Sequence, residues 1–352
     1  MTQADAFLER IYDQALAQHR RRAGEEDAEA RRMRLRGFLR DAIGSFPRSA
    51  GAEPVLLERV DCGSYVRERV LLSGVDGMDF AAYVLIPKML NGRAPAVLAI
   101  HGHGYGSREI VGLKPDGSPD DGEPTCHCRF ALPLVERGLI VIAPDVLGFG
   151  ERRLAEDMDK DPRASSSCYK LSTSLLMYGK TLTGLRAAEL AASLDYLASR
   201  ADVDPHSIGA MGFSGGALLA WTCAALDERL RAVLLTGFPG TYKGTILSVF
   251  HCVDNFTPGM LAEAELPEWI GLLAPRPIFV ESGSNDPIFP STSAREAVAE
   301  LELLYRRAGA EERLAWDVFP GVHEVSGRLA YDWLRTTLFA LSDPVASDSS
   351  QS

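Results

Sequence analysis

The chain has 352 residues, 46% of them hydrophobic and 24% charged, with a formal net charge of −11. This is the composition of an ordinary globular enzyme with enough apolar residues for a sizeable core. The negative charge disfavours nucleic acid and anionic membrane surfaces as partners, and no run of about 18 apolar residues offers a membrane span.

The first elements are helical. Phe7, Leu8, Ile11, Ala15 and Leu16 recur at helical spacing, and Leu35, Phe38, Leu39 and Ile43 do so again. Residues 1–50 therefore read as a helical extension, available to cover the core or to join two copies in a homo-oligomer. Between these stretches lie Arg20-Arg21-Arg22, Glu25, Glu26, Asp27, Glu29, Arg31 and Arg32. The interleaved acids cancel most of the basic field, so a solvated helix face is favoured over a nucleic-acid patch. Asp27 and Arg31 are spaced to pair across one turn. Asp5, Glu9, Arg10 and Asp13 stand where a secretory signal needs an apolar stretch, so the expected compartment is the cytoplasm.

From about residue 60, strand patterns alternate with helices, which implies βαβ units and a mostly parallel sheet. Arg67 to Leu72 and Phe80 to Ile86 read as a hairpin turning at Gly74-Val75-Asp76-Gly77. Ala96 to Ile100 and Leu139 to Ala143 are wholly apolar strands. A helix from about Leu182 to Ser199 leads through Asp204-Pro205 to the strand Ser207 to Met211, and Ala232–Leu235, Pro277–Val280 and Leu314–Val318 supply later strands. Residues 55–341 thus form the catalytic domain, with lid-like insertions at about 105–125 and 150–178. The Ser- and Asp-rich residues 342–352 read as a disordered tail.

The chemistry gathers around Gly209-Ala210-Met211-Gly212-Phe213-Ser214-Gly215-Gly216-Ala217. Gly-x-Ser-x-Gly between a strand and an apolar helix is a nucleophile elbow, which lifts a serine Oγ clear of the backbone on a sharp, strained turn. Gly212 and Gly216 avoid collisions with the neighbouring strand and helix. Ser214 is the candidate nucleophile. In this arrangement acid and histidine follow the serine in that order. His251 precedes the strand that should carry the acid, whereas His323 lies just past the last strand, in Pro320-Gly321-Val322-His323. Asp286 falls on the turn after the strand Pro277–Val280, where an open α/β sheet places function. Glu281 is still inside that strand, and Asp254 lies in the insertion before it.

An oxyanion hole needs two N–H groups: Gly215, after the nucleophile, and an amide from His101-Gly102-His103-Gly104-Tyr105-Gly106, for which His103 is the choice. His101 and His103 have no visible further ligand, and Cys126-His127-Cys128 lacks the rest of a zinc-spaced set. The six cysteines show no disulfide framework. No metal or other cofactor is expected. Phe149, Phe213 and Trp221 are candidates for either pocket or core.

Ala99-Ile100-His101-Gly102-His103-Gly104, Ala143-Pro144-Asp145 through Arg152, Gly212-Phe213-Ser214-Gly215-Gly216, Ala274-Pro275-Arg276-Pro277 and Asp286-Pro287-Ile288-Phe289-Pro290 together resemble the α/β-hydrolase superfamily. More narrowly, the set over about 60–340 resembles its acetyl-xylan-esterase-like and dienelactone-hydrolase-like branch. The resemblance implies an α/β-hydrolase fold and a cofactor-free serine hydrolase, often cleaving acetyl or other short acyl esters. Asp145, at a position the branch shares, reads as a loop-fixing residue with Glu151 and Arg152 as candidate partners.

The expectation is a serine esterase acting on a small-molecule ester through Ser214, Asp286 and His323. A peptidase or amidase, a lactone hydrolase, and a non-catalytic binding protein on a hydrolase fold are the alternatives. Many dienelactone hydrolases use cysteine where this chain has Ser214.

Overall fold

The computed structural model describes residues 2–48, 53–75 and 77–342. Nine strands form one sheet in the order β1-β2-β3-β5-β4-β6-β7-β8-β9. They are β1 Val55–Asp61, β2 Tyr65–Ser73, β3 Asp79–Pro87, β4 Ala94–Ile100, β5 Ile140–Pro144, β6 Val203–Phe213, β7 Leu230–Thr236, β8 Ile278–Gly283 and β9 Leu314–Phe319. The helices of ten residues or more are α1 Gln3–Glu25, α2 Ala28–Ile43, α3 Cys168–Met177, α4 Leu182–Ser199, α5 Gly215–Leu226, α6 Ser291–Arg307 and α7 Ala330–Ser342. Among the described residues, no helix is long and apolar enough to cross a membrane.

The strands from β5 to β9 run parallel, while β1, β2 and β3 pair antiparallel and β3 joins β5 antiparallel. The apolar runs explain this order. β4 and β5 are buried along their whole length, as strands covered on both faces must be. β1 is almost wholly exposed, and its irregular register at Leu56/Glu58 blunts that edge. The sequence pattern missed β1 because an exposed edge strand needs no apolar alternation.

The parallel geometry matters for function, because it sends the carboxyl ends of β4, β6, β7 and β8 to one edge of the sheet. Ligands bind at that edge in open α/β sheets. The loops there are longer than the helices behind. Residues 101–130 carry only a turn of helix at Ser107–Ile110, whereas the insertion at 150–178 is half helical, ending in α3. A third excursion, 237–277, runs between β7 and β8.

The amino-terminal arm packs on this body. Leu35, Leu39 and Ile43 of α2 are buried in the main core. Two local expectations fail. Asp27 does not pair with Arg31; it caps α2, accepting from the Glu29 and Ala30 N–H groups, and Arg31 reaches Glu268 instead. Nor is the charged run simply solvated, since Arg22 and Arg34 both bind Glu263. Asp76, in the hairpin turn, and residues 343–352 of the expected tail lie outside the described residues.

Candidate active site

β6 ends at Phe213 and α5 begins at Gly215, leaving Ser214 alone on the turn at φ 54°, ψ −123°. A non-glycine residue rarely adopts that conformation, and it persists only where its surroundings enforce it. Here they do. A Cβ on Gly216 would drive into the carbonyl oxygens of Ile100 and His101, and one on Gly212 into the backbone of Gly216. The helix and strand therefore approach more closely than any side chain permits.

Ser214 Oγ lies 3.0 Å from His323 Nε2, and His323 Nδ1 lies 2.7 Å from Asp286 Oδ2. Asp286 is itself held: its Oδ1 accepts from the N–H groups of Ile288 and Phe289, each at 2.8 Å. A carboxylate pinned this way presents one oxygen to the imidazole. That sets the tautomer with Nδ1–H donating and Nε2 free to take a proton from Ser214. The His323 ring lies between Phe213, 4.8 Å away, and Phe289, stacked at 5.6 Å.

The loop that carries His323 is tied from below. Glu281, buried in β8, accepts from the N–H groups of Ser326 at 3.3 Å and Gly327 at 2.7 Å, and from Thr236 Oγ1 at 3.1 Å. Burial pushes the Glu281 carboxyl up to about 7. Its place within the strand hid this role, because it reads as one polar residue in an apolar run.

The loop after β4 passes directly over the serine; a Cβ on Gly102 would stand 3.0 Å from Ser214 Cβ. Two buried histidines shape it. His101 donates Nδ1–H to the Gly102 carbonyl at 2.8 Å and accepts the Val146 N–H at Nε2, 3.1 Å. Burial pushes its pKa down to about 3, keeping the ring neutral. His127 accepts the Gly102 N–H at Nε2, 3.0 Å, and its Nδ1 faces Glu109 Oε1 at 3.1 Å. Glu109 also accepts the Tyr105 N–H at 2.9 Å. With the Gly102 N–H aimed at Nε2, a ring proton of His127 sits on Nδ1, toward Glu109. This loop leaves the N–H groups of His103 and Gly215 without an acceptor among the described residues. Both amides belong to segments that meet at Ser214.

The remaining expected residues fall out as follows. His251 is buried against Phe289 at 4.9 Å, the ring that also stacks on His323, and it is His323 that is joined to Ser214 and Asp286. Asp145 is buried and fixes the loop, but through Ser107, whose N–H and hydroxyl it accepts at 2.7 and 2.9 Å. Its expected partners are engaged elsewhere: Glu151 pairs with Arg108 at 3.0 Å, and Arg152 with Glu189 at 2.7 Å, meeting Asp145 only at its backbone carbonyl. Phe149 and Trp221 both belong to the core, and Phe149 also stands edge-on to His103 at 4.9 Å. Cys126 Sγ lies 3.7 Å from His127 Nδ1, Cys128 Sγ donates to the Thr125 carbonyl at 3.4 Å, and His127 serves the loop as described.

A strand-turn-helix serine joined through histidine to an aspartate is the equipment of a hydrolase. Comparison with known proteins agrees. Residues 80–323, more than half of the chain, match the dienelactone hydrolase family. The chain belongs to that family. The chain is also 30% identical over 252 residues to YtaP of Bacillus subtilis (strain 168), provisionally described as a hydrolase, covering 69% of this chain and 77% of that one. The fold is shared with a provisionally described acetyl xylan esterase from Bacteroides fragilis NCTC 9343, at a TM-score of 0.69 and 19% identity over 86% of this chain and 81% of that one. A glucuronoyl esterase from Solibacter usitatus is also similar, at a TM-score of 0.64 and 14% identity over 90% and 94% of the two chains.

Proposed function

We propose that this family member hydrolyses short-acyl carboxylic esters, acetyl esters first, through an acyl-enzyme on Ser214. The observation that carries the reading is the single imidazole of His323 bridging Ser214 Oγ at 3.0 Å and Asp286 Oδ2 at 2.7 Å. Ser214 attacks the ester carbonyl as His323 Nε2 takes its proton, and Asp286 stabilises the imidazolium. The amides of Gly215 and His103 receive the oxyanion; loss of one such donor typically costs about 3–4 kcal/mol of transition-state stabilisation. His323 then gives its proton to the leaving alcohol and activates the water that releases the acid. The structural neighbours described as acetyl xylan and glucuronoyl esterases support an ester rather than an amide. Membership of the dienelactone hydrolase family favours one second reading, opening of a lactone ring by the same attack.

The test is hydrolysis of p-nitrophenyl esters of increasing acyl length, with a small lactone in parallel, by wild type and Ser214→Ala. Fastest turnover of the acetate, abolished in Ser214→Ala, supports the proposal. Turnover no greater than that of the variant on every ester removes it.

A further inference from the structure

Beside the triad, and using none of its side chains, four donor atoms converge. A ring nitrogen of His103, the Sγ atoms of Cys168 and Cys252 and a carboxylate oxygen of Asp254 all lie within 4.8 Å of one another. They come from three excursions at the carboxyl edge of the sheet: the loop after β4, the start of α3 and the segment between β7 and β8. His103 Nε2 and Asp254 Oδ2 are 3.8 Å apart.

We propose that these four residues form a tetrahedral site for one zinc ion. Zinc takes thiolate sulfur at about 2.3 Å and imidazole or carboxylate at about 2.0–2.2 Å, which sets ligand atoms about 3.3–3.8 Å apart. The cluster is open by about 1 Å beyond that at most, a gap that small side-chain rotations close. The donor set selects the metal. Two sulfurs exclude magnesium and calcium, which want oxygen, and a mixed sulfur, nitrogen and oxygen tetrahedron suits zinc.

Charge supports the assignment. Two thiolates and a carboxylate carry −3, a zinc ion +2, and the remaining +1 is already present in Arg186. This residue is buried, with Nη1 2.7 Å from Asp254 Oδ2 and Nη2 3.0 Å from Cys168 Sγ. Asn255 Nδ2 donates to the other Asp254 oxygen at 3.0 Å. Such outer hydrogen bonds orient ligands and compensate their charge. The ion would enter from the His103 side, since that side chain is 40% exposed while Asp254 is 3% exposed. On binding, each cysteine releases its thiol proton to solvent. The bound ion would hold the ring of the residue whose amide faces the reacting carbonyl.

The experiment uses full-length protein, reduced and stripped with a chelator, then titrated with cobalt(II) and zinc(II). The expected result is a cobalt–thiolate charge-transfer band with tetrahedral d–d bands, saturating at one ion per chain and displaced by one equivalent of zinc. Cys252→Ser and His103→Ala, neither in the buried core, should each weaken zinc binding by about 100-fold or more. Their metal-free circular dichroism should match that of metal-free wild type. Absence of the thiolate band in reduced wild type overturns the proposal, as does an unchanged band in Cys252→Ser. So does finding Cys168 and Cys252 joined as a disulfide in the isolated protein, with no metal uptake after reduction. These readouts do not involve ester turnover, so they stand or fall separately from the esterase reading.

Discussion

Replacing Asp286 by asparagine tests how the catalytic proton is directed. Asp286 Oδ1 is held by the N–H groups of Ile288 and Phe289, so an isosteric asparagine must keep its carbonyl oxygen there. Its NH2 group then faces His323 Nδ1 across the present 2.7 Å contact. Two donors cannot share that contact, so Nδ1 becomes the acceptor and the ring proton moves to Nε2. A protonated Nε2 can donate to Ser214 Oγ but cannot receive its proton. The same inversion in a serine protease lowers kcat about 10⁴-fold, equivalent to about 5.4 kcal/mol at 1.36 kcal/mol per tenfold. Both backbone donors stay satisfied, so no buried polar group is orphaned and folding stability should change little. The assay is kcat/KM on p-nitrophenyl acetate, with urea unfolding as the stability control. A well-folded Asp286→Asn enzyme retaining more than about a tenth of wild-type kcat/KM would refute the tautomer argument.

Three further outcomes follow from the packing around Ser214. Gly216→Ala should fail to accumulate as folded protein or lose several kcal/mol, because its Cβ meets the Ile100 and His101 carbonyl oxygens rather than movable side-chain ends; near-wild-type stability in urea would count against it. His127→Leu leaves the buried Gly102 N–H without its acceptor, costing about 1–3 kcal/mol of stability and lowering kcat more than it raises KM as the oxyanion loop relaxes; unchanged kcat would sever the loop from catalysis. For His101 the folded pKa is about 3 against 6.5, so the unfolded chain binds the extra proton between those values. Its contribution is complete above pH 6.5 and falls as pH drops, by about 2 kcal/mol at pH 5 and about 4 kcal/mol by pH 3 at 1.36 kcal/mol per pH unit. Buried Asp145, pushed up to about 6, acts with the opposite sign. Subtracting the urea stability profile of His101→Asn from that of wild type isolates the histidine, and equal slopes in the two proteins would refute its role.

The central sheet was legible because burial on both faces writes itself as unbroken apolar runs. Ala96–Ile100 and the helix Leu182–Ser199 fall within or on their observed bounds. What escaped were elements held by something other than their own periodicity. β1 is an exposed edge, and the short helices between residues 237 and 277 are set by long-range contacts, such as Tyr12 donating to Glu265 at 3.1 Å. The charged run near residue 30 misled for the same reason. Arg22, Arg31 and Arg34 find partners more than 200 positions away, at Glu263 and Glu268.

The site divides along the same line. Ser214, Asp286 and His323 were readable because each stands just beyond a strand, in a chain order imposed by the fold, with glycines marking the close approaches. The residues that support them were not. Glu281, Glu109 and His127 act on backbone N–H groups, which leave no mark on residue identity, so only folding shows what a buried carboxylate or imidazole is paired with. The cluster of His103, Cys168, Cys252 and Asp254 is the extreme case. Its longest gaps span 65 and 84 positions, no zinc-like spacing exists within it, and its counter-charge Arg186 looks like any helix arginine. An expectation of no metal drawn from neighbouring pairs such as His101 and His103 tests only ligands close in sequence. A site assembled from three loops at the carboxyl edge of a parallel sheet escapes that test, because strand order, not chain order, decides which loops become neighbours.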